Sequence, residues 1–400
     1  MPRTGTRIER GRTRIRVAMI PAALALALSL LLHSGPSLAD ARSQAKRMHD
    51  RLAGVPPTET VLASMTSDID AGRATEAAYK AMQHRAFYDV TLKNFAMPWT
   101  NRDQTVFAPL NDYVATVIGV VRDDVAFDRI LYDDILYVGR GVSGVPGPSP
   151  SSNEHYAALE SQGASLRDTL VQASQSSVYG LPPEATAGVM TTRAAAQAFF
   201  VAGTNRAQFR YTLLNHLCTD LEQIQDPTRP PDRIRQDVSR SPGGDSRLFL
   251  NNCIACHAGM DPMTQAFAYY DYDETAGRLL YTAGVVRPKY FNNKDSFPAG
   301  YATPDDSWDN YWRSGRNALL GWDGSLPGKG AGAKSLGREL ARSDAFASCQ
   351  VQKVFRNVCL RSPSDAQDRA RVQAITASFK ASGYRLKQVF ADTAAYCMGD

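Results

Sequence analysis

The chain has 400 residues, with 45 Lys and Arg against 40 Asp and Glu, for a formal net charge of +5. Six arginines against the single Glu9 in residues 1–39 account for all of that excess, so the rest of the chain is neutral overall and gives no electrostatic reason to bind nucleic acid. Removing the leader leaves about 360 residues, enough for one large or two to three ordinary domains.

Residues 1–39 read as a signal peptide. Arginines 3, 7, 10, 12, 14 and 16 precede a mostly apolar run from Val17 to Leu32, and Ser37, Leu38 and Ala39 supply the small residues of a cleavage site. Sixteen apolar residues are slightly short for a membrane span, so the membrane enters only if this segment stays uncleaved. The expected location of the mature protein is the periplasm.

A helical region is expected over 40–225. "PPTETVLASMTSDI" places Val61, Leu62, Met65 and Ile69 on one face after a proline start. Two further apolar-faced stretches run from Val114 to Val121 and from Phe127 to Val138. The Gly/Pro/Ser loop 139–153 cannot hold a helix or a central strand, and marks a place for insertion or mobility. Helical pattern returns from Asn153 to about Ala173, in "TTRAAAQAFFVAG" closed by Gly203, and in "NRAQFRYTLLNHLCTDLEQI". Residues 226–333 open with a Pro- and Arg-rich linker and continue with little periodicity. A C-terminal helical region over 334–400 has three helices, with Ser343 as one N-cap, a serine capping "SPSDAQDRARVQAITASFKASG", Gly383 as a stop and a last helix from about Tyr384 to Tyr396. The expected fold class is mainly α, with no large sheet.

Inside 226–333 stands "NNCIACHAGMDPM", where Cys253, Cys256 and His257 form C-x-x-C-H. Two thiols three positions apart reach the two vinyl groups of one porphyrin, and the adjacent histidine swings under the iron, so the pattern reads as attachment of one covalent haem c. Cys253 and Cys256 are the expected haem-binding residues and His257 the proximal axial ligand of the iron. A zinc site would want a second ligand pair at short spacing, and a thioredoxin-like pair would want a βαβ context. Cys218, Cys349, Cys359 and Cys397 are left for disulfides. Cys349 and Cys359 on one helix would lie about 15 Å apart and should not pair, and the other pairings stay open.

The sixth ligand is harder to place. Met260, three residues after His257 on a helix, stays on the proximal side, and Met263 is only slightly freer. Between Thr264 and Cys397 there is no Met or His. Met190 and His216 upstream, and Met398, are the remaining candidates, with Met190 preferred. The aromatic segments "FAYYDYD" and "DDSWDNYWRSGRNALLGWDG" read as packing around the macrocycle, with Arg313 or Arg316 as an alternative partner for a propionate.

"CIACHAGMDPMTQAFAYYD" resembles the haem segment of planctomycete-type cytochrome c proteins, through Cys253, Cys256, His257, Met260, Asp261, Pro262 and Asp271. The likeness extends from about Ala187 to Phe390. It departs at Thr264 and Ala268, where that family has a glycine and a glutamate. It implies an exported helical haem protein and supplies no substrate. The expected function is therefore one-electron transfer with a redox partner protein of unknown identity. The alternatives are a peroxidase- or oxidase-like enzyme with an open distal site, or a haem subunit of a larger complex. A haem wedged between the N-terminal and C-terminal helical parts, with Asp261-Pro262 ending the short motif helix, completes the expectation.

Overall fold

The computed structural model describes residues 40–200 and 204–399, so the signal-peptide reading of 1–39 and the closing role of Gly203 fall outside the described residues. Three short helices come first: α1 (Ala41–Ala53), α2 (Glu59–Asp70) and α3 (Ala74–Ala81). Asp40 caps α1 by accepting from the Ser43 amide at 2.6 Å, and Thr58 caps α2 just after the two prolines. Helix α4 (Asp112–Arg122) is buried at every position from Asp112 to Val121, which makes it the central rod of the molecule.

The apolar stretch from Phe127 to Val138 is not the expected helix. It forms a 3₁₀ turn at Phe127–Leu131 and then a strand, β1 (Leu136–Gly139), because a short apolar run fits a buried strand as well as a helix. Helix α5 (Glu154–Ser161) likewise stops early, at Gly163 with φ 60°, and the chain returns as β2 (Leu170–Ala173) to pair antiparallel with β1. The 139–153 loop between them is pinned by His155, whose Nε2 accepts from the Gly139 amide and whose Nδ1 contacts the Pro146 carbonyl oxygen.

Helix α6 (Arg193–Phe199) is followed by α7 (Arg206–Thr212), which widens into a π turn at Leu213–Leu217 and ends at Cys218 in the left-handed region. The motif helix α8 (Ile254–Thr264) also emerges from a π turn, Phe249–Cys253. Pro262 does not end α8, which runs two residues further and continues as a 3₁₀ turn at Gln265–Phe267; the proline forfeits only the one hydrogen bond its own amide would make. Two antiparallel ribbons follow: β3 (Tyr270–Asp273) with β4 (Arg278–Tyr281), and β5 (Ser307–Asp309) with β6 (Lys329–Ala331). The described strands form only two-stranded ribbons, in keeping with the absence of a large sheet.

The tail is helical, with four helices where three are expected: α10 (Asp344–Cys359), α11 (Ala366–Ala381) and α12 (Leu386–Cys397) are the expected ones, and α9 (Gly332–Ala341) precedes them. Ser343 caps α10 by accepting from the Phe346 amide at 3.1 Å. The cap of α11 is Asp365 rather than one of the serines before it. Helix α12 packs on α10, α3 and α1, so the first and last helices among the described residues lie side by side. One apolar core runs from Ala45 to Ala394 across the N-terminal, motif and C-terminal regions.

Two disulfides settle the pairing that the spacing left open. Cys218 joins Cys349 and Cys359 joins Cys397, with Cα–Cα distances of 5.3 and 5.4 Å. Cys349 and Cys359, both on α10, indeed do not pair with each other. Cys253 and Cys256 are the two free cysteines.

Candidate haem-attachment site

The first turn of α8 is the exposed end of an otherwise buried helix. Cys253, Ile254, Cys256 and His257 are partly exposed, whereas the residues from Ala258 to Thr264 are all buried. This follows from close packing on the far side. A Cβ on Gly259 would lie 1.8 Å from Nε1 of the fully buried Trp312, so only glycine lets the indole press against the helix. Leu248 and Leu250, just upstream of the thiols, are 45% and 58% exposed and leave apolar surface beside them. A small apolar cluster of Ile234, Val238, Phe249 and Ala258 supports Cys253 and Ile254 from beneath.

His257 is fixed by a residue of its own helix. Its Nδ1 lies 3.1 Å from Oδ1 of Asp261, one turn on and fully buried. An ionised carboxylate only accepts hydrogen bonds, so the ring proton sits on Nδ1, and Nε2 is left as the free lone pair. Asp261 is in turn gripped by Arg206, whose Nε and Nη2 donate to its two oxygens at 2.8 and 2.9 Å. Burial alone would push the Asp261 carboxyl up. Arg206, with His257 and Arg235, reverses this and holds it well below the usual carboxylate range.

The free thiols do not look like a redox pair. Cys256 contacts the Leu221 carbonyl oxygen at 3.7 Å, and burial, with Glu222 and Asp220 nearby, pushes its thiol up, opposite to the lowered thiol that disulfide exchange needs. The motif lies between a π turn and a helix rather than in a βαβ unit. The other four cysteines are used in disulfides and offer no second ligand pair for zinc, and no metal-ligand cluster of three or more His, Cys, Asp or Glu occurs among the described residues.

The expected distal residues lie elsewhere. Met190 is 1% exposed in the main core, in a 3₁₀ turn that packs on Phe127–Leu131 and α6, with its methyl group close beneath Gly337. Met260 and Met263 are buried on the inward face of α8, as the helical spacing required. Met398 lies at the far end of α12, its carbonyl oxygen taking a hydrogen bond from Arg47. Arg313 is committed to Glu339, which it contacts twice at 2.8 Å, and Arg316 donates to the Gln225 carbonyl oxygen. The aromatic segments do form cover: Trp312 and Tyr270 are fully buried, and Trp322 Nε1 donates to the Trp312 carbonyl oxygen at 2.9 Å.

His216 is buried in the core, its Nε2 2.7 Å from the Tyr113 hydroxyl and its ring stacked between Tyr113 and Phe346. Burial, then the nearby Lys353, holds its pKa well below that of a free imidazole. The unfolded chain therefore takes up a proton near pH 6.5 that the folded chain refuses. Stability should fall by about 1.4 kcal/mol per pH unit below roughly pH 6.5, down to the folded value. Urea midpoints measured between pH 7.5 and 5 check this, and His216→Phe should flatten that part of the slope.

Sequence reasoning found Cys253, Cys256 and His257 but missed the residues that hold them. The His257 to Asp261 spacing of four, one helical turn, was a usable signal. Arg206, Arg235 and Asp237 come from distant segments and left none, whereas Trp312 lies in an aromatic segment that reads as cover. Among known proteins, no curated protein and no solved structure matches the chain. One family model, a protein of unknown function, DUF1585, matches residues 328–393, from β6 through most of α12, and so covers the C-terminal helices rather than the motif.

Proposed function

We propose that the chain is an exported c-type haem protein that carries one covalent haem and passes single electrons to or from a partner protein. The observation that carries this is selective. Four of the six cysteines close disulfides, and the two left free are those of C-x-x-C-H, on a partly exposed turn beside an imidazole whose tautomer is fixed by Asp261. Cys253 and Cys256 would hold the haem through its two vinyl groups, and His257 Nε2 would bind its iron. The haem supplies the redox chemistry, one electron gained or lost at the iron. The chain's own part is to orient and insulate. Asp261 keeps the proton on Nδ1 of His257, Arg206 keeps Asp261 ionised, and Trp312 against Gly259 keeps the helix from shifting.

Export is supported by the leader pattern of residues 1–39 and by two disulfides, which persist in oxidising compartments. Among the described residues, no helix is long and apolar enough to cross a membrane. The DUF1585 match accords with the resemblance to planctomycete-type cytochrome c proteins.

A second reading, a haem enzyme with an open distal position, is favoured by one observation. Met190, His216, Met260 and Met263 are all buried, whereas the turn that bears His257 is partly exposed. Optical spectra of the oxidised and reduced protein, with and without cyanide or carbon monoxide, separate the two. A low-spin spectrum indifferent to added ligand supports the electron carrier, and rapid ligand binding by a high-spin form supports the enzyme.

A further inference from the structure

Asp261 does not have its arginine to itself. Arg206 sits between two carboxylates: it donates to Asp261 through Nε and Nη2, and to Asp237 through Nη1 at 2.5 Å and Nη2 at 3.0 Å. The Arg235 guanidinium, in a side chain 1% exposed, is at longer range, 3.9 Å from Asp261 and 3.8 Å from Asp237, while the Arg235 backbone amide donates to Asp261 Oδ2 at 3.3 Å. Its guanidinium is turned instead onto the Tyr290 ring and the Thr204 oxygens. Asp261 Oδ1 therefore accepts from His257 Nδ1 and Arg206 Nε together, while a second carboxylate competes for the same cation.

A carboxylate that accepts from Nδ1 draws the proton away from the ring and makes Nε2 a stronger electron donor to a metal. Competition from Asp237 leaves Arg206 less able to quench Asp261, so more of that charge is felt at His257. The ferric iron of a haem carries one more positive charge than the ferrous iron, and buried negative charge nearby favours the ferric form.

We infer that Asp261, with Asp237 sharing its arginine, is a positioning residue that holds the haem iron at a low reduction potential through His257. The inference rests on the haem reading and extends it. It assigns the site a bias toward oxidised iron, which suits a donor of electrons to a higher-potential acceptor.

The test is the midpoint potential of the haem-loaded protein, measured by spectroelectrochemistry for wild type, Asp261→Asn and Asp237→Asn. Both substitutions keep side-chain shape and remove one negative charge. The expected result is an upward shift in both, larger for Asp261→Asn. If Asp261→Asn fails to fold, the shift in Asp237→Asn decides alone. Haem-bearing variants that lose stability but keep the wild-type potential would show a purely structural role and overturn the inference. A wild-type chain without covalent haem would instead overturn the haem reading itself, so the two failures are distinguishable.

Discussion

Loss of the Cys218–Cys349 disulfide, in the Cys218→Ser, Cys349→Ser double variant, is expected to destabilise the protein by about 5 kcal/mol. The bridge spans 131 residues, and the chain-entropy cost of freeing a loop of that size comes to about 5 kcal/mol. The bridge also pins a demanding piece of backbone. Cys218 has φ 53° and ends a π turn, and across the bond Cys349 is buried on α10. Gln350, beside it, donates to the His216 carbonyl oxygen, so the π turn and α10 are held at two points. The Cys359–Cys397 bridge spans 38 residues, for which the same relation gives about 4 kcal/mol. Guanidinium unfolding of each double-serine variant, beside wild type with and without reductant, measures both. A loss below 1 kcal/mol for the first variant would mean that the unfolded chain is already compact around this link.

Replacing Asp261 by alanine is expected to cost about 3–5 kcal/mol, because breaking a buried ion pair leaves its partners charged and without compensation. The side chain is fully buried, Arg206 is largely so and Arg235 wholly so. Removal would leave two guanidiniums facing Asp237 alone, and would free the His257 ring to rotate. The cost should be smaller for Asp261→Asn, which keeps the shape and one acceptor oxygen. Chemical denaturation of both variants in the haem-free chain isolates this term from any effect of the cofactor. Equal and small losses would show that the arginines reach water in the folded state.

How much of this was legible in the sequence depends on the range of the interaction. Local signals read well: the Thr58 and Ser343 regions begin helices where cap and apolar period coincide, and C-x-x-C-H stands out by spacing alone. The exclusion of a Cys349–Cys359 bridge also held, because helix rise is a fixed quantity. The failures have a common cause. Phe127–Val138 and Asn153–Ala173 hold short apolar runs whose period does not distinguish helix from strand, and the long-range pairing of Leu136–Gly139 with Leu170–Ala173, which sets Tyr137 opposite Gln172 and Val138 opposite Val171, decides for strand. Asp261-Pro262 reads as a stop because proline lacks an amide, yet α8 continues through it to Thr264. Met190 was preferred for its element alone, and only the packed core shows where its sulfur goes. The clamp on His257 draws on residues 206, 235 and 237, and no pattern within any one segment announces it.

The most direct measurement is the intact mass and haem stain of the purified, exported protein after denaturation, beside the Cys253→Ala, Cys256→Ala double variant. The account predicts that the wild-type chain carries the mass of one haem and stains on a denaturing gel, that the double variant does neither, and that the other four cysteines remain oxidised in both. A wild-type chain without the added mass, or a stain that survives loss of both thiols, would contradict it.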